Sequence, residues 1–268
     1  MASDLHSEYP LTEAQILEFQ SDGFVHLCSV LSTDTRREYE ESISACVQEH
    51  NPLRERQIQD RTTYELAFIQ VVNVWLESSK VKELVFIRRL AQIATQLLDV
   101  SGVRLYHDQA LFKEPGGGLT PWHADQYYWP LSSRNTCTAW IPLQDTPPEM
   151  GPLSFSTRSH QYEGGRDLVI SDESEAFLEK DLSERGFEYV MNGFLLGDVS
   201  FQYGWTYHRA EPNRSNLMRK AMTIIYMDEQ MMVKESGRTE QVTDQKAFIP
   251  GRLPREPADT ALNPRLYP

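Results

Sequence analysis

The chain reads as a mainly β protein with flanking α-helices, its strands closing into a barrel or a sandwich. Three observations carry that expectation. The first hundred residues are patterned as helix, whereas from Gly102 onward short β-type runs are separated by Gly, Pro, Asn and Asp. Helices come first and strands afterwards, without the βα alternation of a parallel sheet. No GxGxxG follows a strand, so a dinucleotide site has no support. At 268 residues a single domain is expected. Residues 1–100 form a mostly helical support, 101–230 the β core with an insertion at 161–189, and 231–268 a C-terminal extension.

Thr12 followed by Gln15 is a capping-box pattern, opening a helix over Glu13 to Ser21 that Asp22-Gly23 breaks. Phe24 to Leu27 is a short strand. Ser32 to Thr35 caps a second helix running to about His50, with Tyr39, Ile43 and Val47 on one face. Residues 51–65 are polar and read as loop. Lys80 to Leu98 reads as the strongest helix, with Leu84, Ile87, Leu90, Ala91, Ile93 and Leu97 as its apolar stripe. The β-type runs are Val103–Phe112, Thr136–Leu143, Leu153–Ser156, Val190–Met191, Val199–Tyr203 and Ala221–Met227. Between them, 161–189 is acidic and poor in large apolar residues, with one helix near Glu173–Ser183. It reads as a surface excursion or as a lid over a site. Phe248 to Pro268 reads as an extended tail wrapping the body.

Net charge is −13, with a pI near 5.0. That argues against nucleic acid or an anionic membrane as partner, since both need a basic footprint. Cys28, Cys46 and Cys137 are far apart and odd in number, which fits a reducing cytoplasm better than a disulfide framework. Met1-Ala-Ser-Asp-Leu-His-Ser-Glu has neither a basic nor an apolar leader region, and no window approaches 18 uninterrupted apolar residues. A monomer or homodimer is expected.

The most informative stretch is Trp122-His123-Ala124-Asp125, answered by His208 and then Arg219. Side chains at i and i+2 of a strand point the same way, so His123 and Asp125 can reach one metal while Trp122 and Ala124 face away. With His208 they make the facial two-histidine, one-carboxylate set that holds non-haem iron and leaves positions open for a co-substrate and dioxygen. A structural zinc site would be closed by four ligands, preferably including cysteine, and none lies near either His. Arg219 shares a face with the small Ala221 and Thr223, which leaves room for a dicarboxylate, while Lys220 points elsewhere.

The surroundings resemble the phytanoyl-CoA dioxygenase family over about residues 105–227. Lys113-Glu-Pro-Gly-Gly-Gly leading into Trp122-His123-Ala124-Asp125 resembles its Lys-Pro-Pro segment and His-x-Asp strand. Thr138-Ala-Trp140-Ile-Pro-Leu and Gly151-Pro-Leu-Ser-Phe are similar to its next strands. Gly197-Asp198-Val199, then His208-Arg-Ala-Glu-Pro-Asn213-Arg-Ser215 with Arg219-Lys-Ala, resembles the distal half-site. Thr157-Arg158 departs from the usual Pro-Gly before Ser159-His160, and Ala210 stands where several relatives have Ser. The resemblance implies a double-stranded β-helix, a cupin-like jelly-roll, with Fe(II) held by His123, Asp125 and His208. It implies 2-oxoglutarate on that iron, its far carboxylate on Arg219, with Gln109, Lys113 and Trp140 lining the co-substrate. With O2 this would hydroxylate or desaturate a small molecule, releasing succinate and CO2. Halogenating relatives lack the carboxylate that Asp125 supplies.

Tyr128 and Trp129 directly follow the metal motif, Trp205 precedes His208, and Gln70 and Asn73 bring two amides into an apolar run. All five are candidate substrate contacts, against the plain alternative of core packing or satisfied buried amides. His107 and His160 have no second ligand at metal spacing and read as structural. The aromatic surroundings point to an apolar or natural-product-like substrate, and the acidic balance weighs against a CoA ester. Two other classes stay open: a cupin-like Zn or Mn hydrolase or isomerase, and a non-catalytic jelly-roll binding protein. Arg219 and Lys113 favour the oxygenase, because a hydrolase has no need of a dicarboxylate partner.

Overall fold

The computed structural model describes residues 5–268, Arg36 by its backbone alone; Met1 to Asp4, the start of the N-terminal stretch read above, lie outside them. In chain order the elements are α1 (Glu13–Asp22), β1 (Phe24–Leu27), α2 (Thr33–His50), α3 (Thr63–Ala67), β2 (Ile69–Val72), α4 (Ser79–Val85), α5 (Arg88–Leu98), β3 (Val103–Lys113), β4 (Thr120–His123), β5 (Thr136–Pro142), β6 (Leu153–Ser156), α6 (Asp172–Glu184), β7 (Tyr189–Met191), β8 (Val199–Tyr203), β9 (His208–Ala210), β10 (Arg219–Asp228), α7 (Thr239–Phe248) and β11 (Arg265–Tyr267). The larger sheet is ordered β1-β8-β5-β10-β3-β11, and β2 also pairs with β3; the smaller is ordered β4-β9-β6-β7. All pairings are antiparallel. Two antiparallel sheets enclosing a cavity, with helices against the larger one, make the expected jelly-roll core.

Period-2 alternation decides which side chains reach that cavity. On β5, Cys137, Ala139 and Ile141 join the main apolar core with α1, α2, α4 and α5, while Thr138 and Trp140 face the interior. On β10, Met222, Ile224 and Tyr226 pack into that core, whereas Arg219, Thr223 and Ile225 line the cavity. On β3, Ala110 and Phe112 alternate with His107, Gln109 and Leu111 in the same way. A second apolar cluster, with Phe24, Trp140, Leu153 and Phe155, joins the two sheets.

The helical boundaries follow local chemistry where that chemistry is strong. Thr12 and Gln15 form the reciprocal capping box, and Gly23 closes α1 in the left-handed region at φ 89°. Ser32 caps α2, and Tyr39, Ile43 and Val47 are buried as expected. Two expectations need correction. The stretch 80–98 is two helices, because Ile87 turns extended (ψ 121°) between them. The break lets α4 pack on α2 while α5 lies on the large sheet. The supposed loop 51–65 contains the start of α3, opened by a Thr62–Glu65 capping box. The C-terminal stretch is partly regular too: α7 ends at Phe248, and β11 pairs with the start of β3. Among the described residues no helix is long and apolar enough to cross a membrane.

Candidate metal centre and cavity

His123 ends β4 and His208 opens β9, and the two residues face each other across the pairing of those strands. After Ala124 the chain tightens into a 3-10 turn that starts at Asp125, swinging the carboxylate beside both rings. Asp125 Oδ1 stands 3.7 Å from His123 Nε2 and 3.6 Å from His208 Nε2. One ligand atom from each residue lies within 4.8 Å of the other two.

The far nitrogen of each ring is already committed. His123 Nδ1 donates to the Pro121 carbonyl at 2.7 Å, and His208 Nδ1 to the Thr206 carbonyl at 2.9 Å. Those bonds select the tautomer whose Nε2 lone pair points into the cluster, the state a metal requires. Burial, with His208 adjacent, pushes His123 down to about 4 against the pull of Asp125. It is therefore a neutral ligand at neutral pH. Thr138 Oγ1 donates to Asp125 Oδ2 at 3.2 Å, turning Oδ1 toward the rings. Three donors are thus preset on one side of a point, and a divalent cation fits them.

Arg219 lies deeper in the same cavity, 2% exposed. Its guanidinium donates to the carbonyls of Gly151 (3.2 Å) and Leu111 (3.5 Å), stands 5.7 Å over the Trp140 ring, and leaves Nε without a partner. Among the described residues no carboxylate lies within ion-pair distance of it, and burial pushes its pKa down to about 10. Gly151 adopts φ +66°, and a Cβ there would fall 2.0 Å from the Glu211 carbonyl, so this contact to Arg219 requires glycine.

Of the residues expected around a co-substrate, Gln109 and Trp140 line the cavity beside Arg219. Lys113 is register partner to Arg219 but turns behind the wall, where Nζ donates toward the Gly118, Ala210 and Glu211 carbonyls and Thr120 Oγ1. Burial, with Arg219 nearby, pushes it down to about 6. Its geometry binds β3 to β4 and β9 rather than presenting an ammonium to the cavity.

Of the substrate candidates, Gln70, Tyr128 and Trp129 line the cavity. Trp205 does not: it sits under Arg166 in a separate surface pocket with Arg134, His160 and Tyr203. Asn73 is also elsewhere, taking φ 52° at a turn and donating its backbone N–H to the Asp108 carbonyl. The cavity, about 490 Å³, includes residues the sequence reading missed: Tyr64, Phe68, Asp244, Phe248 and His107. His107 is stacked on Phe248 at 4.0 Å. The Thr62–Glu65 capping box was a usable signal for α3, which carries Tyr64. Nothing of that kind marks α7, whose buried residues are Gln241 and Phe248.

The insertion is tied down by its acidic residues. Glu175 accepts from the Trp122 backbone N–H at 2.5 Å and from Arg209 at 2.7 Å, and Glu179 accepts from the Trp122 indole at 2.7 Å. Because β4 is the edge of its sheet, α6 covers an open strand next to the metal motif. Upstream of it, Val169 and Ile170 form part of the cavity wall, and the Ile170 N–H donates to Tyr128 Oη at 3.3 Å.

Comparison with known proteins accords with this architecture. No curated protein matches the chain in sequence. The fold is shared with the non-haem α-ketoglutarate-dependent carbocyclase SnoK from nogalamycin biosynthesis (24% identity, 96% of each chain, TM-score 0.78). The epimerase SnoN in complex with Fe3+, α-ketoglutarate and nogalamycin RO is similar (24%, 95% of this chain and 98% of that one, TM-score 0.77). So is EctD from S. alaskensis with 2-oxoglutarate and 5-hydroxyectoine (20%, 96% and 90%, TM-score 0.71). The phytanoyl-CoA dioxygenase model matches residues 19–221, a span holding the His123–Asp125–His208 cluster and Arg219, and the chain belongs to that family.

Proposed function

We propose that this chain is an Fe(II)- and 2-oxoglutarate-dependent oxygenase that hydroxylates or desaturates a small molecule. The observation that carries the reading is the pairing of two features in one cavity: a three-ligand face with both histidine tautomers preset, and a buried arginine with no carboxylate partner among the described residues. The solved relatives bound to iron or 2-oxoglutarate support it, and the carbocyclase and epimerase among them share the same cofactor requirement.

When bound, iron and 2-oxoglutarate would supply the electrons that activate dioxygen, the oxidant that removes hydrogen from a substrate carbon. The protein's residues make that selective. His123, Asp125 and His208 would hold the metal from one side, and the other side would be left to exchangeable ligands. Arg219 would hold the distal carboxylate of the co-substrate, a bidentate role that lysine cannot reproduce. Trp140 walls that pocket, and Tyr128, Trp129 and Phe248 exclude water from the substrate half. The three unpaired cysteines fit a reducing, cytoplasmic setting.

The test is anaerobic addition of Fe(II) and 2-oxoglutarate. A weak visible charge-transfer band is expected, lost in His123→Ala, with succinate release on exposure to air. Metal-loaded protein that neither shows the band nor consumes 2-oxoglutarate would overturn the reading.

A further inference from the structure

The substrate half of the cavity has apolar and aromatic walls with polar groups that mostly satisfy one another. Tyr64 Oη donates to Gln70 Oε1 at 3.0 Å, and Gln70 Nε2 donates to Gln109 Oε1 at 2.6 Å, a relay of neutral groups. His107 is stacked on Phe248 and held neutral, pushed down to about 4 by burial. Asp244 is different. It projects from α7 into the cavity and accepts a long hydrogen bond from Tyr106 Oη at 3.5 Å. Among the described residues no Arg, Lys or His stands within ion-pair distance of it, and the charged group acting on it is Asp125. Burial pushes its carboxyl up to about 7, opposed by the Tyr106 bond and reinforced by Asp125.

Charge counting then separates the two halves of the cavity. With the cofactors proposed above, a divalent metal and the two carboxylates of 2-oxoglutarate cancel, and Asp125 cancels Arg219. Among the described residues lining the cavity, Asp244 is then the group left without a compensating charge, a carboxyl that a bound cation would hold ionised, and it shares the cavity with Tyr64, Tyr128 and Trp129. A carboxylate among aromatic faces suits an ammonium, which the rings also attract.

We propose that the substrate is a hydrophobic amine whose protonated nitrogen is bound by Asp244, the apolar remainder lying along the aromatic wall toward the metal. This rests on the oxygenase reading for its charge count. It makes Asp244 the residue that sets substrate class.

The experiment compares matched primary amines and alcohols on naphthalene-, tricycle- and steroid-sized scaffolds, with binding to the full chain followed by calorimetry in the presence of Mn(II) and 2-oxoglutarate. Amines are expected to bind about 10- to 100-fold tighter than their alcohols, the range of a charge-assisted hydrogen bond. Asp244→Asn should collapse that ratio while leaving alcohol affinity in place, and Asp244→Glu should retain it. Equal binding of the paired compounds, binding of neither, or a preference that persists in Asp244→Asn each overturns the proposal. If Asp244→Asn does not fold, the wild-type ratio and Asp244→Glu still decide it. 2-Oxoglutarate affinity, titrated first without any amine, separates failure of the oxygenase reading from failure of this one.

Discussion

Arg219 is the residue whose replacement separates stability from function most sharply. It is 2% exposed, with two carbonyl contacts and an unpartnered Nε. A cation in such a place is costly to bury, so Arg219→Met, which keeps much of the shape and removes the charge, should leave the unliganded protein as stable or about 1–4 kcal/mol more so. Co-substrate binding should move the other way. Removing one partner of a buried charged pair costs about 2–5 kcal/mol, at least roughly 30-fold in Kd. At 2-oxoglutarate 100-fold above the wild-type Kd, binding adds about 2.7 kcal/mol to stability, or about 5–10 °C in melting temperature. A 30-fold weaker variant keeps less than about 1 kcal/mol of that. The assay is thermal melting with Mn(II), with and without 2-oxoglutarate. An equal 2-oxoglutarate-induced rise in both proteins would refute the assignment of Arg219.

His123→Ala and His208→Ala should each abolish Mn(II) binding, read by electron paramagnetic resonance, with a cooperative melt retained; full metal occupancy in either would sink the ligand set. Asp108 is fully buried with one unpartnered oxygen, and burial pushes it up to about 8. A raised folded-state pKa means the folded protein holds the proton longer than the unfolded chain, so this group loses stability as pH rises from about 4 through 8. Asp108→Asn should remove that loss, and its stability relative to wild type should grow with pH by up to about 1.4 kcal/mol per unit; parallel pH profiles in denaturant melts would contradict this. Arg209 contacts Glu175, Glu179 and Glu211. Arg209→Ala should cost about 1–3 kcal/mol locally and speed hydrogen exchange in α6 and at Val169–Ile170, with 2-oxoglutarate affinity unchanged. Unaltered exchange would show that these contacts do not hold the insertion.

The metal motif was legible because its signal is local. His123 and Asp125 lie two apart at a strand end, and only a few residue types serve as ligands. Strands β5, β6, β8 and β10 were legible because turn residues bound them and their apolar composition is continuous. Trp205 was misplaced because adjacency in sequence to His208 says nothing about which wall a side chain joins. The Thr206 N–H donates to the Tyr203 carbonyl and turns the chain there, leaving Trp205 under Arg166. Lys113 was expected at the cavity, and its register opposite Arg219 starts it on that face, but four nearby acceptors draw its ammonium away behind the wall.

By itself the sequence determined the helix-then-strand order, the metal ligand set and the arginine that follows it, because periodicity, capping and ligand chemistry act over a few residues. The shape and charge of the substrate half were decided by tertiary structure alone. Asp244 and Phe248 come from a helix near the C-terminus, Tyr64 from α3 and Phe68 from the extended residue that follows it, and Ile170 from the acidic insertion. Those segments meet around one cavity only because two sheets bury their inner faces against each other. No short-range pattern in any one of the segments encodes that meeting.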